Sequence, residues 1–556
     1  MNTDALNQLR EFESQLDAEV ANLAIWRLPV RCVLLAMHYS LYGFFTTDRE
    51  KATTIAARMS HLIPMLAKCP PEPIGENAAN ALRAYVDTDP TLQQLLLAIN
   101  YGHFSEVMPQ VHRNYYTVTA MGEKHFRLEH RTENSAAMEV RDIVLSELAM
   151  PHITSPSPDV SEAIEQLTRT VPQANISLVG QVLGSYIDHY LKNVKEPELL
   201  SDAVLVDAFG ADTQAINRFT STLLAVAALA VDLSRALEAR VRAEGTPKDL
   251  EAEWLEWVSI FWTADYVRHI LRGTTGVSDE ALTRLFSIFA LDFRKKPART
   301  ELGGDGYFPP LAFLVGGGLL IGPYFTWLFT HTRNMLYALL KTDQQKFDNV
   351  VSGGLEPQLL IHVESMFRRL PGIEIKANVA WDAREIDLLV FEPATNTALH
   401  IQAKAPIAPY GARMIARLES RIQEGIEQVQ SFRALPQERV DTVISEAFGR
   451  EVSGVKVIDA ILARSCFGTY RTWDNAADIS FLSLAVLAEL TREGPMRLQT
   501  LAELPARAQE YLEETIAKAS PVWTHKPLIL GEYVIDLPML DLDQRFLDGE
   551  RRKVWS

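Results

Sequence analysis

The chain has 556 residues, which is too long for one hydrophobic core, so two or more domains are expected. Apolar residues make up 47% and charged residues 22%, a composition that excludes the disordered and fibrous classes. The formal net charge of -17 argues against a protein that coats nucleic acid non-specifically, because phosphate affinity needs clustered Lys and Arg, but it permits a local basic groove.

The cysteines and the first residues of the chain predict a cytoplasmic protein. Cys32, Cys69 and Cys466 are far apart and form no CxxC pair, so neither a disulfide framework nor a zinc knuckle is expected. The opening MNTDALNQLREFESQLDAEV has acidic residues where a signal peptide would have a basic region and an apolar run. We therefore do not expect secretion.

The first 305 residues have mostly helical apolar spacing. Clear examples lie at 219–241 and 282–291, the second preceded by Ser278 and two acids that favour a helix start. The stretch 115–130 alternates like a strand pair and predicts a small β insertion. We interpret residues 1–305 as a helical module that senses, recruits or regulates, and that could bind a partner protein.

The next segment, 307–329, has no charged residue and is long enough to cross a bilayer, for which roughly 20 apolar residues suffice. Its glycines and prolines favour a different structure: two short strands, LAFLV and LLIG, around a glycine turn, and a helix beginning near Pro323. We assign 306–345 to this hairpin and a connecting helix, and we expect no membrane partner.

Residues 346–540 show a change of pattern that predicts an α/β domain, followed by a basic C-terminal tail at 541–556. The predicted elements are a helix at 356–370, strands at 373–381, 385–392 and 398–405, a long polar helix at 411–435 and a strand at 455–468. The fold class is therefore α/β and multidomain, with a large, mostly α-helical N-terminal domain.

Polar residues occupy one face of two neighbouring strands. Side chains alternate across a strand, so the apolar face at 385–392 would consist of Ile386, Leu388 and Val390. At 398–405 the buried face would consist of Leu399, Ile401 and Ala403. A hairpin over the PATN turn then places Asp387 beside Gln402 and Lys404. His400 shares their face, and we interpret it as a structural histidine.

A fourth polar group lies on the preceding helix. On a helical wheel Leu360, Val363 and Phe367 lie within about 40° of Glu356, so Glu356 is a carboxylate within an apolar stripe that packs on the sheet. Glu364 lies about 80° from Glu356 and is the alternative acid on this helix.

These groups have the chemistry of metal-assisted phosphodiester hydrolysis. Two carboxylates and an amide oxygen suit Mg²⁺, which prefers oxygen ligands and keeps several waters. The ammonium of Lys404 can hold the attacking water or stabilise charge on a transferring phosphoryl group. The sequence contains no GxxxxGK[S/T] loop, so ATP-driven activity is not expected.

The order Glu356, Asp387, Gln402-x-Lys404, with Gln402 fifteen residues after Asp387, resembles the PD-(D/E)XK nuclease superfamily, in the QxK form of Mrr-like restriction endonucleases. The resemblance covers roughly residues 350–470 and implies a restriction-endonuclease-like domain. It implies that Mg²⁺ or Mn²⁺ is held by Asp387, the Gln402 side chain, the Ala403 carbonyl and Glu356, with Lys404 as the catalytic lysine. Gln402 replaces the commoner acid, which implies weaker metal affinity, a need for activation, or a site that has lost its activity.

The helix after the strands carries a candidate DNA-binding ridge. Arg413, Arg417 and Arg421 recur every four residues and would share one face. We therefore expect a Mg²⁺-dependent DNA endonuclease that takes part in antiviral defence, with a homodimer left open. The alternatives are an inactive nuclease fold that binds nucleic acid or protein, and an RNA or tRNA nuclease.

Overall fold

The computed structural model describes residues 3–47, 49–71, 89–149, 158–169, 176–193, 200–244, 254–409, 411–476 and 478–555. The protein is mixed α/β, 62% helical, with three small mixed sheets. The predicted α/β class is therefore confirmed. The division into domains at 305, 345 and 540 stays a prediction.

Helices that pack around the three sheets make up most of the protein. They are α1 Thr3–Ala21, α2 Val30–Thr47, α3 Arg49–Met59, α4 Ile63–Leu66, α5 Asp89–His112, α6 Glu133–Ala149, α7 Ser161–Arg169, α8 Ile176–Asn193, α9 Asp202–Phe209, α10 Thr213–Glu244, α11 Ala264–Thr275, α12 Asp279–Phe289, α13 Pro323–Phe329, α14 Thr332–Thr342, α15 Gln344–Val350, α16 Glu356–Phe367, α17 Gly411–Arg433, α18 Gln437–Phe448, α19 Tyr470–Asp474, α20 Leu484–Thr491, α21 Leu504–Ala519 and α22 Gln544–Trp555. A π-helical turn, Val351–Leu355, joins α15 to α16.

Each sheet combines parallel and antiparallel pairs, in the orders β1-β2-β13-β12, β3-β6-β5-β4 and β11-β10-β9-β8-β7. The strands are β1 Tyr116–Gly122, β2 His125–His130, β3 Ile260–Thr263, β4 Ala290–Asp292, β5 Leu311–Phe313, β6 Gly318–Ile321, β7 Glu374–Trp381, β8 Arg384–Glu392, β9 Thr397–Lys404, β10 Lys456–Ala463, β11 Ser480–Ser483, β12 Val522–Leu530 and β13 Tyr533–Asp541.

The N-terminal region has the helices that the apolar spacing predicts. The start of α12 is as expected, because the Ser278 hydroxyl accepts the Ala281 N–H at 3.2 Å. Helix α10 lies in the core; by length and composition it is the one described helix that could cross a membrane alone, and 83% of its apolar window is buried inside the protein. A second candidate is a pair of helices, Asp4–Arg27 and Val30–Phe45, bent by 108°.

The uncharged segment after residue 306 is a buried hairpin followed by a helix. Strands β5 and β6 pair antiparallel, and α13 begins at Pro323, so the predicted elements are confirmed. The hairpin completes a sheet with β3 and β4, to which it is joined on its two sides. Residues on both sides of the predicted boundary at 305 therefore share backbone hydrogen bonds.

The predicted β insertion at 115–130 is a hairpin, β1 and β2, and it pairs with a hairpin near the C-terminus. β2 and β13 are parallel, with His125 opposite Val534. The predicted boundary at 540 lies inside β13, and the basic tail forms α22. Leu547 of α22 packs against Val140 and Leu148 of α6, so this tail is part of a small core.

The five-stranded sheet contains the predicted polar residues. β8 and β9 form the expected antiparallel hairpin, with Leu388 opposite Ile401. β9 and β10 are parallel, with Gln402 opposite Ile461. Helix α16 contacts β7, β8 and β9, while α17 contacts β9 and β10. On one face Leu389 and Phe391 pack with α18 through Val443 and Ile444.

Candidate active site

Strand β8 becomes irregular where it carries Asp387. The β7–β8 pairing includes Ala377 with Leu388 and Val379 with Ile386, but not the pair between them, and Asn378 has a left-handed φ of 54°. Ile386 packs with Leu389 and Phe391 rather than with Leu388. The prediction that Ile386 shares a face with Leu388 and Val390 was therefore wrong, because strict alternation ends at Asp387.

This irregularity lets the Asp387 carboxylate take the place of a backbone acceptor. Its Oδ2 accepts the Ala403 N–H at 2.7 Å, beyond the last regular β8–β9 pair. Burial raises the pKa of Asp387 above its usual value, although the Ala403 N–H and the charge of Lys404 act in the opposite direction. The carboxylate is thus fixed in orientation and poorly solvated.

Gln402 is buried and has one satisfied and one unsatisfied end. The residue is 1% exposed, and its Nε2 donates to the Glu385 carbonyl at 2.9 Å. The same nitrogen lies 3.4 Å from Nε2 of His400. Its Oε1 is buried with no hydrogen-bond partner. An amide oxygen left unsatisfied in this way costs roughly 1–3 kcal/mol, so this oxygen has a lone pair to offer to a ligand.

Lys404 is held by the long helix α17. Its Nζ donates to Gln428 Oε1 at 2.9 Å, and its side chain passes over Gly425. By sequence, Gln428 is one of three glutamines on this helix, with Gln423 and Gln430, that could reach the site or the DNA backbone. Exposed glutamines are common on helices, and only the packing of α17 on β9 distinguishes this one.

Glu356 is the first residue of α16, directly after the π-helical turn. Burial raises the pKa of Glu356; Lys404 opposes this increase and Asp387 adds to it, and the Ala405 N–H donates to the carboxylate. Glu364 instead pairs with Arg368 near the surface. Glu356 is therefore the helix acid that lies with Asp387 and Lys404.

The apolar stripe by which α16 packs on the sheet differs slightly from the predicted one. Its fully buried side chains are Leu359, Val363 and Phe367, while Leu360 is only partly buried. The helix still presents its N-terminal end to the site, as the wheel predicts.

Two of the three predicted DNA-binding arginines lie beside the site. Arg417 and Arg421 line a small cavity together with Glu356 and Lys404. Both arginines approach Asp348 of α15, at 3.1 Å and 3.9 Å.

Arg413 is exposed and does not line that cavity. It lies near His61, whose pKa is lowered mainly by burial and also by this guanidinium. The predicted ridge is thus divided: two arginines are near the candidate site and one is directed elsewhere.

An open groove of about 740 Å³ beside Asp387 is acidic. Its wall contains Gln428 and three further carboxylates, Glu385, Glu424 and Glu427. This groove gives water and small cations access to Asp387.

The donor atoms fit a hard cation. In the described residues no three His, Cys, Asp or Glu side chains gather to hold a metal. The predicted set needs only two carboxylates, because its other donors are the amide oxygen of Gln402 and a backbone carbonyl. The unsatisfied, buried Gln402 Oε1 supports this set, and all-oxygen donors suit Mg²⁺ or Mn²⁺.

A larger cavity lies at another place. It has a volume of about 840 Å³ and is lined by Arg433, Asp459 and residues of α18, β11 and α21, but by none of the predicted site residues. No family model, curated protein or solved structure matches this chain.

Proposed function

We propose that this protein is a metal-dependent endonuclease that hydrolyses phosphodiester bonds in DNA. The observation that carries the proposal is the buried Gln402 Oε1, which has no hydrogen-bond partner and lies on the strand whose Lys404 interacts with both Asp387 and Glu356. A cation coordinated by this oxygen would also offset the free-energy cost of burying the two carboxylates.

The residues divide into two roles. Asp387, Gln402, the Ala403 carbonyl and Glu356 would hold Mg²⁺ or Mn²⁺, which when bound supplies positive charge and lowers the pKa of a coordinated water. Lys404, steadied by Gln428, offers an ammonium to the attacking water or to the phosphoryl oxygens.

The substrate approaches from the side of Arg417 and Arg421. These guanidiniums can pair with phosphates that flank the scissile bond, whereas the acidic groove beside Asp387, whose Glu424 already pairs with Arg421, repels the DNA backbone. Cutting of both strands would require a second active site, as in a homodimer.

The wider role rests on the resemblance to restriction endonucleases. The C-terminal region would be the restriction-endonuclease-like domain, and the helical N-terminal region would sense, recruit or regulate. We propose a cytoplasmic enzyme of defence against foreign DNA.

The direct test is plasmid cleavage by the purified full chain with Mg²⁺ or Mn²⁺. We expect nicked or linear product, with rates about 10²–10⁴-fold lower in Asp387→Ala and Lys404→Ala. The matched control is Lys456→Ala, because Lys456 is an exposed lysine at the other end of the sheet. Equal cleavage by all variants would show that the site is misplaced, and an RNA substrate in the same assay tests the RNA alternative.

A binding protein without activity is the second candidate. Gln402 in place of an acid favours it, because a site with one negative charge fewer binds a metal ion less tightly. DNA binding that survives Lys404→Ala, with no cleavage at any metal concentration, would support this candidate.

A further inference from the structure

The amide nitrogen of Gln402 lies against two acceptors. The Glu385 carbonyl is 2.9 Å away and His400 Nε2 is 3.4 Å away. If the amide were rotated by half a turn, Oε1 would face the Glu385 carbonyl and leave both oxygens without a proton. The surroundings of the nitrogen therefore determine where the oxygen is directed.

His400 can accept this hydrogen bond because its other nitrogen is occupied. Nδ1 of His400 lies 2.9 Å from Asp459 Oδ1, and an ionised carboxylate only accepts, so Nδ1 bears the proton. With the proton on Nδ1, the lone pair on Nε2 can accept from Gln402. Asp459 is fixed in turn by Arg433, whose Nε donates to Oδ2 at 2.8 Å.

The arrangement is buried and leaves little freedom for another orientation. His400 is 0% exposed and Asp459 is 7% exposed. The His400 ring packs on Phe432, with ring centroids 4.7 Å apart. Burial alone would raise the pKa of Asp459, but its contacts with His400 and Arg433 outweigh that effect and hold the pKa below its usual value.

We propose that His400, held by Asp459, is a positioning residue that fixes the Gln402 amide so that Oε1 faces the metal. The inference rests on the proposed function, because it assigns a role toward the same site. It also accounts for glutamine at this position: a carboxylate would place its second oxygen against the Glu385 carbonyl and the His400 lone pair. Gln402 is thus matched to its neighbours.

Two substitutions of His400 separate positioning from packing. In His400→Asn the amide nitrogen can occupy the place of Nδ1 and keep the Asp459 bond, but the second acceptor beside Gln402 is lost and only the Glu385 carbonyl remains. In His400→Gln the longer side chain reaches the place of Nε2, and its oxygen can accept from Gln402.

We expect the dissociation constant for Mn²⁺ to rise about 10- to 100-fold in His400→Asn, as for other residues that orient metal ligands. In His400→Gln it should stay close to that of the unmutated chain. Electron paramagnetic resonance of free and bound Mn²⁺ on the full chain measures this, with Asp387→Ala defining binding at the site.

The outcomes separate this inference from the proposed function. Equal Mn²⁺ affinity in both His400 variants and the unmutated chain would overturn the positioning role, as would equal losses in both variants that follow their loss of thermal stability. Binding that is no tighter in the unmutated chain than in Asp387→Ala would overturn the metal site and this inference together. The expected affinity pattern without any DNA cleavage would support His400 and contradict the nuclease.

Discussion

Gly425 of α17 lies directly against Lys404 of β9. A methyl group at Gly425 would meet Lys404 Cε at 3.2 Å and Ile461 Cδ1 at 3.2 Å. Gly425→Ala should favour the helix by about 0.5–1 kcal/mol, but Lys404 must move aside by a few tenths of an ångström, which disturbs its hydrogen bond to Gln428. We expect plasmid cleavage to slow by about 10²-fold, the effect of a misplaced catalytic group, while thermal unfolding changes little.

The matched control for Gly425→Ala is Gly184→Ala in the interior of α8. An added methyl group there has nothing within 4 Å. This variant should gain stability and cleave at the unmutated rate. Unchanged cleavage by Gly425→Ala would show that the position of Lys404 is not critical.

Restoring the acid of the commoner nuclease pattern should destabilise this chain. In Gln402→Glu one carboxylate oxygen would lie where Nε2 now donates to the Glu385 carbonyl. Two buried acceptors would then lack a proton, so the free energy of unfolding should fall by about 1–3 kcal/mol. Urea denaturation in EDTA at neutral pH measures it, and Gln430→Glu at an exposed position of α17 is the control. If both variants are equally stable, the assigned amide orientation is incorrect.

Local patterns were sufficient to predict the hairpin, its neighbouring helices and the proximity of Glu356, Asp387 and Lys404. Period-2 alternation, a short polar turn and an acid on an apolar helical stripe are all properties of adjacent residues. The irregularity at Asp387 depends on the left-handed Asn378 on the opposite strand. Asparagine tolerates that conformation, but it adopts it only where the tertiary structure requires it.

Contacts between distant parts of the chain could not be predicted in this way. The parallel pairing of β2 with β13 places His125 opposite Val534. No feature in the sequence of either strand indicates which strand it pairs with. Gln428 and Asp348 are similar cases, since each is an ordinary polar residue on a helix until another helix or strand packs beside it. The hydrogen bond to Lys404 and the ion pair with Arg417 are consequences of tertiary packing.

The two buried carboxylates predict how stability varies with pH. Burial raises the folded-state pKa of Asp387 and Glu356, so the folded chain binds more protons than the unfolded chain between the two pKa values. Their contribution to stability is complete below the unfolded pKa and is lost as pH rises through the raised folded pKa. Without metal, Asp387→Asn should therefore show a weaker decrease in unfolding free energy with rising pH.

Added metal should counter the loss of stability that the two carboxylates cause as pH rises. Mg²⁺ binds the ionised carboxylates of the folded chain, so it should raise the unfolding temperature of the unmutated chain but not that of Asp387→Asn. Glu451→Gln, at an exposed position, is the control and should behave like the unmutated chain in both experiments. A steeper pH dependence in Asp387→Asn would contradict the direction of the pKa shift.

Asp348 competes with DNA for the two arginines beside the site. It lies 3.1 Å from Arg417 and 3.9 Å from Arg421, and its side chain is 37% exposed. A surface ion pair of this kind is worth up to about 1 kcal/mol, so Asp348→Ala should tighten DNA binding by at most about fivefold.

Arg417→Ala and Arg421→Ala should weaken binding, and each should reduce the salt dependence by about one phosphate contact. Fluorescence anisotropy with labelled duplex over a series of KCl concentrations measures both effects. Arg507→Ala is the control, because Arg507 pairs with Glu503 and Glu510 on α21. If Arg507→Ala lowers the salt dependence as much as Arg417→Ala does, DNA does not approach along α17.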